Sequence, residues 1–221
     1  MRSANPVTKA RVEEDLVDCV MKAFKTRDNL LWKPYAVVRT GLPAIDNLKP
    51  TWQEPKTVRY RAILWLLTRT ERGSTNSVPP GLLQRAIPVL CDLALNDPAP
   101  EIRLVAKLTL SQVGTFSPEV FQIMLGALAS TSFEEINAAA EWFCRYPVDP
   151  ERVVRLLANG LTSPSARSDC ASALRSYGPR ASLAVERLKT LAKSNDWWVS
   201  WNAIQVLESI DPKVAKKAGV R

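Results

Sequence analysis

The stretch LNDPAPEIRLVAKLTLSQVG, residues 95–114, decides the fold of this chain. Its apolar skeleton consists of Ile102, Ala106, Leu110 and Val113, and Gly114 follows. Steps of four, four and three residues place these side chains on one face of an α-helix. The small residue in the second position lets another helix approach closely, and a glycine after the last turn is typical of a helix C-cap. The stretch therefore predicts an amphipathic helix that packs against other helices.

The same skeleton recurs along the chain. SARSDCASALRSYG (165–178) contains Ala166, Cys170, Leu174, Tyr177 and Gly178, and NDWWVSWNAIQVLESI (195–210) contains Val199, Ala203, Leu207 and Ile210. Looser copies contain Ile136, Ala140 and Cys144, or Val58, Ala62 and Leu66. Self-similarity at a spacing of about 30–34 residues indicates a helical repeat protein.

A second amphipathic helix precedes each copy, as in SPEVFQIMLGAL and DPERVVRLLANGL. Ser117-Pro118 and Asp149-Pro150 combine a capping residue with a proline in the first turn, where its missing N–H is tolerated. Repeated helix pairs stack as an α-solenoid, in which each repeat packs on its neighbours. We therefore predict an all-α, right-handed α-solenoid of about 10 or 11 helices.

The pattern D-x-x-x-x-[IV]-R-x-x-A-x-x-x-L-x-x-[IV]-G resembles HEAT repeats, in the short bacterial form often labelled phycobilisome-lyase-like. It runs from Asp97 to Gly114 and again through residues 166–178, whereas Asn137 and Ser200 replace the arginine in two other copies. The resemblance covers about residues 55–211. It implies a fold rather than an activity.

We expect three parts along the chain. Residues 1–50 form an N-terminal helical cap or degenerate repeat, residues 51–211 form the HEAT-like array, and residues 212–221 form a short basic tail. The first residues lack the apolar core of a signal peptide, and no run of about 18 apolar residues occurs. We therefore predict a cytoplasmic protein that does not contact a membrane.

Composition limits the chemistry. The chain has no histidine, and its four cysteines lie far apart, so neither a nucleophile–histidine pair nor a metal site with histidine or clustered thiolates is expected. No glycine-rich phosphate loop occurs. We predict no catalytic residues, no metal and no cofactor, although chemistry that uses carboxylates alone stays open.

The net charge of +8 is unevenly distributed. Residues 1–85 carry 15 basic and 8 acidic residues, residues 86–150 carry 3 and 8, and residues 151–221 carry 12 and 6. An acidic middle argues against a continuous track for duplex nucleic acid. The two basic ends are compatible with solvated helix faces or with contact to an acidic partner.

The tryptophans in NDWWVSWN suggest a binding surface. Trp198 and Trp201 lie off the core stripe of their helix, and Gln205 shares their side. In HEAT-like proteins the second helices line the concave surface, so the resemblance implies that equivalent positions face a partner there. The predicted partner-binding residues are Trp198, Trp201, Gln205, Arg175, Trp142, Arg145 and Lys107. The alternative, in which the tryptophans seal the last repeat, stays open.

Two functions fit these residues. The first is a non-catalytic scaffold that holds a protein partner on the concave face, which requires no catalytic residue. The second is nucleic-acid binding, because the chain is similar in length, charge and tryptophan content to HEAT-like alkylpurine DNA glycosylases. Those enzymes place an acidic group near aromatic residues. One turn beyond Trp198 this chain has Asn202 rather than a carboxylate. The neighbours that compare with the acidic and aromatic groups of those enzymes are Glu141 and Trp142.

Overall fold

The computed structural model describes residues 18, 21–22, 62–63, 66–67 and 80–217. In this part of the chain all regular structure is helical and no strand occurs. The helices are α1 Pro80–Asn96, α2 Pro100–Val113, α3 Pro118–Leu128, α4 Phe133–Arg145, α5 Pro150–Gly160, α6 Arg167–Tyr177, α7 Val185–Leu191, α8 Trp197–Ile210 and α9 Pro212–Lys217. A 3₁₀-helix, Gly178–Ala184, connects α6 to α7.

The chain divides into two compact units, Met1–Val113 and Gly114–Arg221. In the first unit α1 packs against α2. The helices bury the apolar faces that the sequence predicts, including Ile102, Ala106 and Leu110 on α2. Pro88 lies inside α1.

The second unit consists of helix pairs that stack in two layers. The first helices of the pairs form one layer, in which α3 contacts α5 and α5 contacts the 3₁₀-helix. The second helices form the other, in which α4 contacts α6 and α6 contacts α8. The core lies between the layers, because the buried side chains of α5, α6 and α8 include Leu157, Leu174 and Leu207. The short α9 packs on α8.

Local chemistry explains where the helices begin. The Ser117 hydroxyl accepts a hydrogen bond from the Val120 N–H at 3.1 Å, with Pro118 in the first turn of α3. Asp149 caps α5 in the same way and has a φ of 44°, in the left-handed region that Asp tolerates better than most residues. Both serine and aspartate satisfy backbone N–H groups that have no partner within the helix.

Polar side chains link consecutive pairs in the second unit. The Tyr177 hydroxyl donates to the Val148 carbonyl at 2.6 Å, and the Tyr146 hydroxyl donates to the Gly114 carbonyl one repeat earlier. The Asn137 amide donates to the carbonyl of Ser165, which is 28 residues later in the chain, at 3.2 Å. These contacts join residues 28–32 positions apart, which is one repeat length. They fix the register between neighbouring repeats.

The predicted all-α solenoid class is confirmed. Apart from residues 18 and 21–22, the predicted cap at residues 1–50 lies outside the described residues, as does the boundary at residue 50. Residues 212–217 of the predicted tail form α9. Among the described helices none combines the length and the apolar character that crossing a bilayer requires.

Candidate partner-binding surface

The predicted surface is organised around the start of α8. Asp196 caps this helix, because one of its carboxylate oxygens accepts hydrogen bonds from the Trp198 N–H at 2.9 Å and the Val199 N–H at 3.2 Å. Since Trp197 is the first residue of the helix, the sequence WWVSW occupies its first turns. Residues 197, 198 and 201 therefore emerge on adjoining sides of the helix.

The three indoles form one exposed group, which we call the tryptophan cluster (Trp197, Trp198 and Trp201). Their exposed fractions are 62%, 56% and 41% respectively. The Trp197 and Trp198 rings meet edge to face with 4.7 Å between centroids, and Trp197 stacks on Trp201 at 6.1 Å. Each ring thus covers part of another while a large apolar area still faces water.

The opposite side of α8 supports the cluster. Val199, Ala203 and Leu207 are buried, as the repeat skeleton predicts. Asn202 is also buried, and its amide donates to the Trp198 carbonyl at 2.8 Å, so this side chain is held inside. The rings of the cluster stay exposed at the start of α8. The short α9 packs on α8, and its Ala215 is buried.

Two further predicted residues lie on α8 and on the neighbouring α6. Gln205 is half-buried, and its amide donates to the Glu208 carboxylate at 3.2 Å. Arg175 is exposed on the neighbouring α6, where its guanidinium donates to the Ser172 hydroxyl at 3.1 Å. The structure therefore brings Trp198, Trp201 and Gln205 together on α8, with Arg175 on the helix beside it.

The prediction for Trp142 as a surface residue is wrong. Its side chain is fully buried on α4, where it stacks on Phe116 at 5.9 Å between ring centroids and lies against Phe143 and Tyr146. The indole N–H has no hydrogen-bond partner in the described structure. Helical phase alone points this residue outward, but the chain segment before α3 folds over it.

The remaining predicted residues are Arg145 and Lys107. Arg145 is exposed on α4 and forms an ion pair with Glu141 one turn earlier. Lys107 is half-buried on α2, in the other unit. Because Trp142 is buried and Glu141 is bound to Arg145, these neighbours do not form the exposed aromatic and acidic pair that a glycosylase-like site requires.

Sequence reasoning missed two features of this surface. Trp197 is the most exposed of the three tryptophans, and its position at the first turn, where few neighbours surround a helix, is the signal that was available. The effect of the Glu141 charge on the pKa of Asp169 was also missed, since nothing local in the sequence relates two residues 28 positions apart.

The carboxylates near the surface differ in their electrostatics. The Val199 N–H and the Arg167 guanidinium hold the pKa of Asp196 below its ordinary value. Burial and the negative charge of Glu141 raise the pKa of Asp169. No group of three or more His, Cys, Asp or Glu residues suited to a metal ion occurs in the described part of the chain.

Comparison with known proteins identifies the fold class. No family model matches the sequence, and no curated protein matches it. Among solved structures, an engineered protein aligns with 98% of this chain and 94% of its own at 18% identity and a TM-score of 0.52. A designed armadillo repeat protein aligns with 91% of this chain and 99% of its own at 14% identity and a TM-score of 0.51.

A second designed armadillo repeat protein, solved in complex with the peptide (KR)4, covers 91% of this chain and 98% of its own at 13% identity and a TM-score of 0.53. At these identities the similarity shows the fold alone. The chain is a helical repeat protein of the α-solenoid class.

Proposed function

We propose that this protein is a non-catalytic binding scaffold, and that the tryptophan cluster is the anchor point for a protein partner. The single observation that carries the proposal is the exposure of three mutually packed indoles at the start of α8. A contiguous apolar patch of this kind usually marks a contact site. Tryptophan is also enriched among the residues that dominate binding energy at protein interfaces.

The fold is suited to such a role. Stacked helix pairs present extended rows of side chains on their second helices, and these rows accept a partner without any catalytic group. The designed armadillo neighbour that was solved with a bound peptide supports the use of this architecture for peptide or protein binding. In our proposal the partner contacts Trp198, Trp201, Gln205 and Arg175, which the second unit places on neighbouring helices.

We also propose three further properties that the sequence predicts. The array is of the short HEAT type, residues 1–50 act as its N-terminal cap, and the protein operates in the cytoplasm. Nucleic acid is the competing ligand, and the experiment below separates it from a protein partner by salt dependence, because contacts to phosphates weaken steeply as salt rises.

The test is affinity capture from lysate of the source cells with the full-length protein, at low and high salt. The Trp198→Ala/Trp201→Ala variant should lose the captured partner, and the Leu183→Ala variant should retain it. Leu183 is a suitable control because it is an equally exposed apolar residue on the 3₁₀-helix of the same unit. Capture of nucleic acid that disappears at high salt, with no protein retained, would overturn the proposal.

A further inference from the structure

The tryptophan cluster is too small to hold a second folded protein on its own. Its rings are 62%, 56% and 41% exposed. Since an aromatic side chain buries about 150–250 Å² in full, the cluster offers a ligand about 240–400 Å². A stable interface between two folded proteins buries about 800 Å² on each partner. The area therefore fits a short peptide segment better than a second copy of this chain.

The surroundings of the cluster carry little net charge. Residues 192–205 contain one basic residue, Lys193, and one acidic residue, Asp196. The Asp196 carboxylate is already bound by the Arg167 guanidinium. Neither a phosphate backbone nor a strongly charged peptide gains much from such a surface, because electrostatic attraction requires groups of opposite sign. The charge distribution therefore favours an uncharged segment.

The indoles offer hydrogen-bond donors as well as ring faces. None of their three N–H groups donates to another residue of the described part of the chain. The Trp198 ring is nearly perpendicular to those of Trp197 and Trp201, at 75° and 85°, so the cluster presents ring faces in two directions. A polyproline II helix has no internal hydrogen bonds, so its carbonyl groups accept from such donors. Aromatic surfaces bind proline-rich segments because the polyproline II conformation is formed before binding.

The starts of the second helices lie side by side along one edge of the second unit. Close to the start of α4, the Asn137 amide donates to the carbonyl of Ser165, which lies just before α6, at 3.2 Å. Arg167, the first residue of α6, binds the carboxylate of Asp196, the cap of α8, at 3.1 Å. These two contacts hold the first turns of α4, α6 and α8 next to one another.

An exposed apolar residue occurs at each of these three starts. Phe133 is the first residue of α4 and is 49% exposed. Pro164 is exposed and directly precedes Ser165, and Trp197 is the first residue of α8. Packed helices are about 8–10 Å apart, and one turn of a polyproline II helix advances three residues, or about 9 Å. A peptide that runs along this edge therefore brings every third residue to the start of another helix.

We propose that the tryptophan cluster, Pro164 and Phe133 bind a proline-rich segment of the partner protein in the polyproline II conformation, with proline at every third position. One proline packs on the indole rings, whose N–H groups donate to neighbouring carbonyls of the segment. The next two prolines lie against Pro164 and Phe133. This inference rests on the proposed scaffold function, and it names the chemical class of the segment that the scaffold holds.

The test uses three fluorescein-labelled peptides of about ten residues, long enough to cross three helices. The spaced peptide has proline at every third position and serine elsewhere, the block peptide has the same composition with its prolines in one run, and the leucine peptide has leucine in place of each proline. Fluorescence anisotropy with the full-length protein should give at least about threefold tighter binding of the spaced peptide, because it alone combines the spacing with a preformed conformation. Its affinity should change little with salt, since the contacts involve no ion pairs.

Variants locate the site. Trp198→Ala/Trp201→Ala should weaken binding of the spaced peptide about tenfold or more, as expected for aromatic anchors of an interface. Phe133→Ala should weaken it about 2- to 5-fold, because one partly exposed contact is lost. Leu183→Ala is the matched control, since it removes an exposed apolar side chain from the 3₁₀-helix in the other layer. Its affinity should stay within about twofold of wild type.

A second measurement needs no substitution. The spaced peptide should shift the tryptophan emission of the wild-type protein to shorter wavelength, because binding removes the exposed indoles from water. The block peptide at the same concentration should produce a smaller shift. If a variant proves unfolded in a melting curve, this emission shift and the ranking of the three peptides decide the question.

The inference and the proposed function fail in different ways. Failure of the spaced peptide to bind, equal binding of the leucine peptide, or an unchanged affinity in the tryptophan variant or in Phe133→Ala would overturn the inference. Self-association in analytical ultracentrifugation that the tryptophan variant loses, or binding of a single-stranded oligothymidine through the same residues, would overturn it too. If the tryptophan variant still loses its captured protein partner, the scaffold function stands and the bound segment is of another chemical class. Weaker binding in both site variants, with melting curves that match wild type, supports the assignment.

Discussion

The guanidinium of Arg167 donates hydrogen bonds to both carboxylate oxygens of Asp196, at 3.1 and 3.2 Å. Arg167 is in the first turn of α6 and its side chain is only 9% exposed, whereas the Asp196 side chain is 47% exposed. Because Asp196 also caps α8, this ion pair connects one second helix to the start of the next. The tryptophan cluster begins at the residue after the cap, so the pair fixes its position.

The first prediction concerns the pH dependence of this pair. The pKa of Asp196 is lowered in the folded protein, chiefly by the Val199 N–H and then by Arg167, so the ionised carboxylate stabilises the fold. This contribution is present above the unfolded pKa of about 3.9, and it is lost as the pH falls through the lower folded pKa. Asp196→Asn keeps a capping side chain but removes the charge. The variant should melt at a lower temperature than wild type at pH 7. This difference in melting temperature should become smaller below about pH 4.

Circular dichroism melts from pH 7 down to pH 2.5 would measure both effects. Asp211→Asn is the control, since Asp211 accepts a hydrogen bond from the Lys213 N–H near the start of α9 and forms no ion pair with an arginine among the described residues. If the difference in melting temperature between wild type and Asp196→Asn stayed constant from pH 7 to pH 2.5, the carboxylate charge would not stabilise the fold.

A second prediction compares two glycines. A Cβ at Gly160, the last residue of α5, would lie 2.3 Å from the Cys170 Sγ, whereas a Cβ at Gly126 in α3 would meet nothing within 4 Å. Gly160→Ala overpacks the contact between α5 and α6 and should destabilise the protein by about 1–3 kcal/mol. Gly126→Ala should stabilise it by about 0.5–1 kcal/mol, because alanine loses less entropy in a helix.

Urea denaturation of both variants provides the free energies of unfolding. Gly160→Ala/Cys170→Ala should recover part of the loss, since removing the sulfur makes room for the new methyl group. An unchanged stability in Gly160→Ala would mean that α5 and α6 are not packed as closely as the structure has them.

A third prediction concerns the reactivity of cysteine. Burial raises the pKa of the Cys170 thiol to about 12, with a smaller contribution from the charge of Asp169. The nucleophilic thiolate is therefore almost absent at neutral pH, and the side chain is inaccessible. Iodoacetamide at pH 8 should modify the half-buried Cys144 well before Cys170 in the native protein. Peptide mapping by mass spectrometry would show this order, and both should react alike in urea.

Much of the fold follows from the sequence because the repeat skeleton is local. Ala106, Cys170 and Ala203 occupy the small-residue position of three copies, and all three are buried where helices meet. The exposure of Trp198 and Trp201 also follows from helical phase, since their neighbours Val199 and Ala203 define the buried side of α8. The position of a residue around its helix axis predicts whether its side chain is exposed when only the adjacent helices of the core decide its burial.

The rest depends on contacts between distant residues. Trp142 has an outward phase, but Phe116, 26 residues earlier, stacks on it and removes it from the surface. The same applies to the ion pair of Arg167 with Asp196, which requires the stacking of neighbouring repeats. Periodicity specifies which residues enter the core of a repeat, but the neighbouring repeat decides which outward residues remain accessible.

The last prediction uses this difference between the tryptophans. Trp198→Ala/Trp201→Ala removes two side chains that are 56% and 41% exposed, so neither substitution leaves a closed cavity. The double variant should lose less stability than Trp142→Ala, which empties a fully buried site and should cost about 3–5 kcal/mol. Chemical denaturation would rank the two. If the double variant proved as unstable as Trp142→Ala, the cluster would be part of the packing of α8 rather than a binding surface. A double variant that melts near wild type while losing its partner would assign the exposed indoles to binding.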